Sequence, residues 1–416
     1  MSKYRPRGTG RSHDPLAHKT WVRGDGALVW DAQGRRYLDF IGGYSSCVLG
    51  HCHPRLVSAA CDQLQRITLP HAANSLEREA FEARLVERFA DPARGEMDWN
   101  VWLTTGGARA VELAWKIASH HRPGGVLRFD LAYHGRSLAT ALLSDTARSN
   151  AIALHPGLDW ILPFPTERTA FNEEFEAHCQ GLLERAGNLI AQHHRKLSML
   201  LIEPAIGSRG YHFAPAWFCK GLADVAHSNG LLVVSDEIQM GLGRMGAWSI
   251  AQADAWKPDM ILLGKALGGG IVSLGAVLGS ESLLGTLAEG IESETYAAMP
   301  LGCRIGLEVI DILEQEGWVR CAEERGAAWR EELRKILPPW IAVRGRGMAT
   351  VLQFENLTRS SSETALEWVV DLSHSGLLVH LTGALRDRVA LIPPLNVSRE
   401  AMAEASEILA RKVSSC

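Results

Sequence analysis

The chain has 416 residues, of which 46% are hydrophobic and 22% are charged, with a formal net charge of −4 at pH 7. This is the ordinary composition of a globular protein, long enough for a large domain and a smaller one. The weak negative charge gives no reason to expect a nucleic-acid partner, and no apolar run reaches the length of a membrane span.

The N-terminal segment MSKYRPRGTGRSH is basic and polar and lacks the apolar stretch of a secretory signal, so we predict a flexible arm. The next segment, GDGALVWDAQGRRYLDF (24–40), predicts two strand-like pieces round a turn. In CVLGHCHP (47–54) two Cys and two His are too crowded for the spaced pairs of a zinc site, which favours a turn closed by Pro54. The eight cysteines are scattered, which is typical of reduced thiols in a cytoplasmic protein.

Apolar runs then alternate with amphipathic stretches. VWLTT (101–105) precedes a helix predicted at 108–121, VLRFD (126–130) precedes one at 173–194, and three strands follow at 197–205, 230–238 and 259–267. This alternation predicts βαβ units and a mostly parallel sheet. In such sheets, ligands bind at the carboxyl ends of the strands.

The pattern changes after about residue 304. A helical stretch at 304–317 leads into VRGRGMATVLQF (343–354), and the chain closes with an apparently capped helix at 398–413. We predict three parts: residues 1–60 as an N-terminal arm with part of a small domain, 61–304 as a large domain, and 305–416 as the rest of the small domain.

The stretch SDEIQMGLGRMG (235–246) contains two competing signals. Gly241, Gly243 and Gly246 spell G-x-G-x-x-G after the apolar run LLVVS, which alone favours a dinucleotide-binding fold. That motif also requires an acid ending a second strand about twenty residues further on, and the sequence has no such strand. We therefore interpret the glycines as shaping a turn, and Asp236 at the strand end as a functional group.

Lys265 follows the apolar run MILLG, about one βαβ unit after Asp236. A lysine leaving such a run is partly desolvated, which lowers its pKa and favours amine chemistry, whereas an ordinary surface lysine is the alternative. A lysine and an acid that converge at strand ends suit pyridoxal phosphate, which needs a lysine for its aldehyde and an acid for its pyridinium nitrogen. Gly106 and Gly107, at the turn before the 108–121 helix, offer backbone N–H groups and the helix dipole to a phosphate.

In these motifs the chain resembles the class III (fold type I) pyridoxal-phosphate aminotransferases, the group of ornithine and 4-aminobutyrate aminotransferases. The likeness covers roughly residues 20–413, and SDEIQMGLGRMG followed by PDMILLGKALGGG is similar to the family signature. The resemblance implies an α/β fold, with a large domain on a mostly parallel sheet flanked by helices and a smaller α+β domain.

The resemblance also implies roles for matching residues. Lys265 would be the Schiff-base lysine and proton shuttle, and Asp236 the partner of the pyridine nitrogen. Gln239 would lie near the ring hydroxyl, and Tyr133 would stack on the ring, followed in sequence by His134. Gly106 and Gly107 would form the phosphate turn, and Thr295 would reach the neighbouring subunit's phosphate. A homodimer or higher homo-oligomer with shared sites follows. Tyr44 and Glu203 would lie on the substrate side. The structural alternatives are that Tyr133 is a core tyrosine and that Glu203 forms an ion pair at the strand end.

Two substrate positions depart from the family pattern. Ser208, in GSRG, stands where a glutamate is common, and Ala390, in ALIPPL, stands where an arginine is usual. In the family these residues form a gate, in which the arginine binds the α-carboxylate of glutamate and the glutamate holds it aside for other substrates. Losing both avoids an unpaired buried charge, so we interpret the pair as a rebuilt substrate pocket. Arg209, Arg386 and Arg388 are candidate replacements, or ordinary surface arginines.

The implied function is transfer of an amino group between an amine or amino-acid donor and a carbonyl acceptor. Lys265 and Asp236 would equally serve racemisation, decarboxylation or elimination, because each begins by stabilising a carbanion. A non-catalytic cofactor-binding protein is the third alternative, and the intact lysine, aspartate and glutamine argue against it. The expected partners are small amine and oxo substrates, with no nucleic acid, membrane or metal.

Overall fold

A computed structural model describes residues 19–70, 74–90, 98–145, 159–166, 172–288, 290–355 and 360–414. The predicted N-terminal arm lies outside these residues as far as residue 18. The strands are β1 (Trp21–Asp25), β2 (Leu28–Asp31), β3 (Arg36–Asp39), β4 (Trp99–Thr104), β5 (Gly125–Phe129), β6 (Asp159–Leu162), β7 (Leu197–Ile202), β8 (Ala205–Ile206), β9 (His212–Phe213), β10 (Leu232–Asp236), β11 (Met260–Leu263), β12 (Gly275–Ser280), β13 (Ile341–Arg346), β14 (Ala349–Phe354), β15 (Leu377–Leu378), β16 (His380–Thr382) and β17 (Arg388–Leu391).

The helices are α1 (Gly42–Ser45), α2 (Pro54–Leu64), α3 (Leu76–Phe89), α4 (Gly107–His121), α5 (Leu138–Leu142), α6 (Glu173–His193), α7 (Ala216–Ser228), α8 (Ile250–Ala253), α9 (Glu281–Leu284), α10 (Pro300–Gln315), α11 (Trp318–Ile336), α12 (Ser361–His374) and α13 (Arg399–Ser414). Two 3-10 turns lie at His194–Lys196 and Lys265–Gly268. No helix among the described residues is both long and apolar enough to cross a membrane.

The central sheet has seven strands in the order β4-β12-β11-β10-β7-β5-β6. The pairs β10–β11, β10–β7, β5–β7 and β5–β6 are parallel, which confirms the predicted mostly parallel sheet. Every residue of β7 is buried, as expected for a strand covered by helices on both faces. The sequence prediction omitted β12, which runs antiparallel between β11 and β4, because its run GAVLGS is short and interrupted by glycine.

The helices begin where the sequence supplies caps. The helix predicted at 173–194 is α6, whose N-cap Asn172 accepts a hydrogen bond from the Phe175 N–H. Three glutamates in its first turn complement the positive end of the helix dipole. At the other end of the chain, Ser398 accepts a hydrogen bond from the Ala401 N–H, which confirms the predicted cap of α13.

The C-terminal third packs helices against a second sheet of order β13-β14-β17-β16. The run predicted at 343–354 forms a hairpin, β13–β14, that turns at Gly347, where φ is +55°. The two strand-like pieces predicted at 24–40 are β2 and β3, and the exposed β1, which lacks an apolar pattern, adds a third strand before them. β15 pairs in parallel with β3, so the N-terminal strands join the C-terminal third. The exact domain limits stay predictions.

A small apolar cluster lies between the two sheets. It joins residues that follow β7 and β10 to one face of the β14–β17 pair, through Ala205, Tyr211, Phe213, Met240, Met245, Ile250, Ala349, Val351, Ala390 and Ile392. We call it the inter-sheet cluster. Because it is buried, it fixes the second sheet over the carboxyl ends of the central strands.

Candidate active site

A cavity of about 450 Å³ opens at the carboxyl ends of the central strands. It brings together seven of the residues singled out in the sequence: Gly107, Tyr133, His134, Glu203, Asp236, Gln239 and Lys265. The rest of the wall is formed by Ser46, Ala108, Gly135, Arg136, Ile238 and the segment 270–274. The prediction that Asp236 and Lys265 face one crevice is therefore confirmed.

Asp236 is held rigidly at the end of β10. It is only 5% exposed, and its Oδ2 lies 2.6 Å from His134 Nδ1, while its Oδ1 accepts a hydrogen bond from the Ile238 N–H at 3.1 Å. His134 is also buried, and its Nε2 has no hydrogen-bond partner among the described residues. A buried carboxylate with a fixed orientation is suited to pairing with a cationic nitrogen in the cavity.

The glycines after Asp236 shape a turn, as expected. Gly243 and Gly246 have φ of +89° and +83°, in the left-handed region that favours glycine. A Cβ on Gly241 would lie 2.8 Å from the carbonyl oxygen of Glu237, so the chain passes too closely there for any side chain. The G-x-G-x-x-G pattern therefore belongs to this turn.

Lys265 lies at the tip of β11, in strained backbone with φ of +40°. Burial lowers the pKa of Lys265 below its usual value, against the opposing charges of Glu203 and Asp236. Burial, and then the charge of Asp236, raise the pKa of Glu203 well above its usual value, although the Tyr133 N–H donates to Glu203 Oε2 at 2.7 Å. The site therefore contains a lysine that gives up its proton readily and a carboxyl group that retains one.

The phosphate turn predicted from the sequence lies beside this lysine. Gly107 begins α4, Gly106 is its N-cap, and no side chain of the described residues caps the first turn. A Cβ on Gly107 would lie 2.9 Å from Ile238 Cγ2, and one on Gly106 would lie 2.9 Å from Ser273 Oγ. A side chain at either position would require Ile238 or Ser273 to shift, and the N–H groups at the start of α4 are suited to binding an anion.

Thr295, the residue expected to reach a neighbouring subunit, is exposed in the loop before α10. The adjacent Glu294 accepts a hydrogen bond from the Thr105 N–H of the same chain at 3.2 Å. Arg109 pairs with Glu292 at 2.5 Å and with Glu294 at 3.3 Å. Ion pairs thus hold the Thr295 loop at the edge of the phosphate turn.

Three of the predicted substrate-side residues lie around β16 rather than in the cavity wall, whereas Glu203 lines the cavity. The Tyr44 ring lies edge-on to His380, with centroids 4.9 Å apart. The Ser208 carbonyl accepts a hydrogen bond from Thr382 Oγ1 at 3.3 Å. Ala390, on β17, lies opposite His380 and is fully buried. The structure therefore brings Tyr44, Ser208 and Ala390 together, although they are distant in sequence.

Three arginines were candidates to replace the missing family arginine, and none lines the cavity. Arg209 Nη2 donates to the Asp145 carbonyl at 3.0 Å and lies 3.3 Å from its carboxylate. Arg388 Nη1 lies 2.5 Å from His212 Nε2, and Arg386 is exposed. The arginine that does line the cavity is Arg136, with Cζ 5.9 Å from the Tyr133 ring centroid. Sequence reasoning missed it, although it lies three residues after Tyr133 in AYHGRS.

The chain is similar to known proteins over nearly its whole length. The family described as aminotransferase class-III matches residues 10–413. An acetylornithine aminotransferase from Nitrosomonas europaea is 31% identical over 399 residues, covering 94% of this chain and 93% of that protein. An ornithine aminotransferase from Emericella nidulans is 30% identical over 402 residues, covering 94% of this chain and 84% of that protein. The crystal structure of a Toxoplasma gondii ornithine aminotransferase is similar at a TM-score of 0.83 and 28% identity, covering 97% of this chain and 92% of that one.

Proposed function

The chain belongs to the class-III aminotransferases, which act with pyridoxal phosphate, and on this premise we propose which residues serve the cofactor and which substrates the pocket accepts. The protein is a pyridoxal-phosphate-dependent aminotransferase, and the names of its relatives favour transamination over racemisation, decarboxylation or elimination.

The residues present fit the cofactor. Asp236 offers a buried, oriented carboxylate to the pyridine nitrogen, Tyr133 offers a ring face, and the turn at Gly106 and Gly107 would offer a phosphate the backbone N–H groups at the start of α4. Lys265 Nζ lies 6.0 Å from the Tyr133 ring centroid, so the lysine and the ring share one face of the cavity. When bound, the cofactor supplies an electron-accepting ring for the substrate carbon.

The side chains of this protein hold and move the protons. Because its pKa is lowered, Lys265 spends more time as the neutral amine, which can take a proton from the substrate carbon and return it. His134 keeps Asp236 oriented towards the cavity. Glu203, kept protonated by burial, adds no second negative charge beside Asp236. Gln239 offers its amide to the ring hydroxyl.

We propose that the preferred donor is a primary amine with no carboxylate on the reacting carbon, and that glutamate is a poor donor. The observation that carries this is Ala390, which is fully buried on β17, bears no charge and pairs with His380, the residue that the Tyr44 ring meets. An α-carboxylate placed there would lose its water without gaining an ion pair. Arg136, on the cavity wall, is the cation available to a carboxylate elsewhere on the substrate, such as the far end of an ω-amino acid.

The test is a set of half-reactions of the purified holoenzyme, followed by cofactor absorbance. Losing a bidentate ion pair of about 2–3 kcal/mol predicts kcat/KM for glutamate roughly a hundredfold below the best amine. The panel contains L-glutamate, L-ornithine, 5-aminovalerate and 1-phenylethylamine. Arg136→Gln is expected to raise KM for 5-aminovalerate and to leave 1-phenylethylamine unchanged. Glutamate reacting as fast as the best amine would overturn the assignment.

We further propose that the active form is a homodimer in which Thr295 meets the partner's cofactor phosphate, and that the enzyme works in the cytoplasm. The exposed Thr295 loop, held at the edge of the phosphate turn, supports the first proposal. Seven cysteines that the structure describes as free thiols support a reducing compartment. Cell fractionation tests the location.

A further inference from the structure

Tyr211 has an unusual place in the wall behind the cavity. Its φ is +53°, a left-handed conformation that is strained for a bulky residue, and its side chain is fully buried. Its ring belongs to the inter-sheet cluster, together with Met240, Val351 and Ala390. Because the local backbone opposes this conformation, packing around the ring must maintain it.

The hydroxyl of Tyr211 connects this cluster to the cavity. Gln239 Nε2 donates to it at 3.2 Å, and Gln239 lines the cavity beside Lys265. On its other side the same amide lies against Gly207, where a Cβ would be 2.7 Å from the amide carbon. Gln239 is therefore held between Gly207 and Tyr211, and the phenol lies one residue behind the cavity wall.

Tyr211 and Ala390 carry no charge on this side of the site, and the nearest cations are Arg244 and Arg388. Burial raises the pKa of Tyr211 far above its usual value, with the charge of Arg244 opposing the shift, so the phenol stays protonated. Ala390 lies between Val351 and His380 on the neighbouring strands. Arg388 lies two residues earlier on the same face of the strand, and its side chain contacts His212. A Cβ at Gly210 would lie 2.2 Å from Arg388 Nη1, so the glycine leaves room for this arginine.

We propose that Tyr211 is a specificity-determining residue. Its ring fills the space beside Ala390 that a longer, charged side chain would need, and its hydroxyl fixes Gln239 at the cavity wall. With no cation at position 390, this side of the pocket accepts amines with an apolar or uncharged polar group and rejects a carboxylate. This inference deepens the proposed function and rests on it for the choice of substrates.

The first test asks whether Tyr211 occupies the space beside Ala390, and it measures the thermal unfolding midpoints of holoenzyme variants. If Tyr211 fills the space beside Ala390, Ala390→Leu lowers the midpoint by about 5 °C through overpacking. Tyr211→Val opens the site, so the double variant unfolds at or above the midpoint of Tyr211→Val alone. Tyr211→Phe is the matched control, which keeps the ring and loses only the bond to Gln239. Additive midpoint shifts in the double variant would show that the two residues do not share the space.

The second test measures recognition by half-reaction kinetics. Tyr211→Val/Ala390→Arg is expected to gain about tenfold in kcat/KM for L-glutamate over the wild type and to lose a similar factor for 1-phenylethylamine. Tyr211→Phe is expected to show no gain for glutamate. Equal gains from Ala390→Arg alone, at an unchanged unfolding midpoint, would overturn the proposal. A wild type that reacts with no amine would refute the proposed function instead, while the unfolding comparison would still decide whether Tyr211 fills the space.

Discussion

Replacing Asp236 by Asn tests the centre of the site with the smallest change of shape. The carboxylate is 5% exposed, and one oxygen lies 2.6 Å from His134 Nδ1 while the other accepts the Ile238 N–H at 3.1 Å. Asn can keep the contact with Ile238. It loses the charge that favours a protonated pyridine nitrogen, so the substitution acts on electrostatics rather than on packing.

The expected loss follows from burial. A hydrogen bond to a charged group contributes about 1.5–3 kcal/mol, and water does not screen it in a closed site. If about 3 kcal/mol of this is lost in the step that removes the proton from the substrate carbon, the rate falls by about two orders of magnitude. The cofactor is also expected to bind more weakly, because the same contact exists before the reaction.

The assay is a single-turnover half-reaction with the best amine, together with titration of the apoenzyme with pyridoxal phosphate. Glu237→Gln is the matched control, because Glu237 is an equally buried neighbour whose carboxylate accepts bonds from Ser249 Oγ at 2.7 Å and the Ile250 N–H at 2.6 Å. That variant is expected to unfold at a lower temperature but to react within about threefold of the wild type. An Asp236→Asn enzyme that reacts within about threefold would show that the pyridine nitrogen has another partner.

Three further predictions concern other residues. Borohydride reduction of the holoenzyme followed by peptide mapping is expected to label Lys265, and label on a different lysine would contradict its assignment. Sedimentation velocity is expected to show a dimer, with Thr295→Ala retaining pyridoxal phosphate less tightly, and a fully active monomer would refute the shared site. Burial, then the charges of Arg388 and Arg344, lower the pKa of His212 from 6.5 to about 2, so the folded protein keeps it neutral where the unfolded chain binds a proton. The contribution of neutral His212 to the free energy of unfolding is therefore complete above pH 6.5 and falls by about 1.4 kcal/mol per pH unit below it. In urea unfolding between pH 6.5 and 4.5, the free energy of unfolding of His212→Asn should fall less steeply with decreasing pH than that of the wild type or of the exposed-site control His120→Gln. Equal pH slopes would refute this.

The chemistry of the site was readable from the sequence because its signals are local. Asp236 and Lys265 each end an apolar run, and a buried strand that ends in a charged residue delivers it to the carboxyl edge of the sheet. Gly106 and Gly107 mark a strand-to-helix turn, and the helical spacing after them is visible in the residue order. The elements that were predicted lie within a few residues of their observed limits for the same reason.

Contacts between distant segments were not readable. β12 inserts antiparallel between β11 and β4, and nothing in GAVLGS specifies those neighbours. Arg209 lies beside Ser208 in sequence but turns to Asp145, whereas Arg136, from another loop, lines the cavity. The direction of a long side chain depends on which partners surround it, and those come from remote parts of the chain.

The sequence by itself determined the type of fold, the cofactor chemistry and the candidate residues for it, because periodicity and strand ends are properties of neighbouring residues. Only the tertiary structure decided the shape of the substrate pocket. It packed Tyr211 beside Ala390, held Gln239 by the Tyr211 hydroxyl, and turned Arg388 to His212. Such contacts are selected by close packing of segments far apart in the chain, where one side chain fills the space that another leaves.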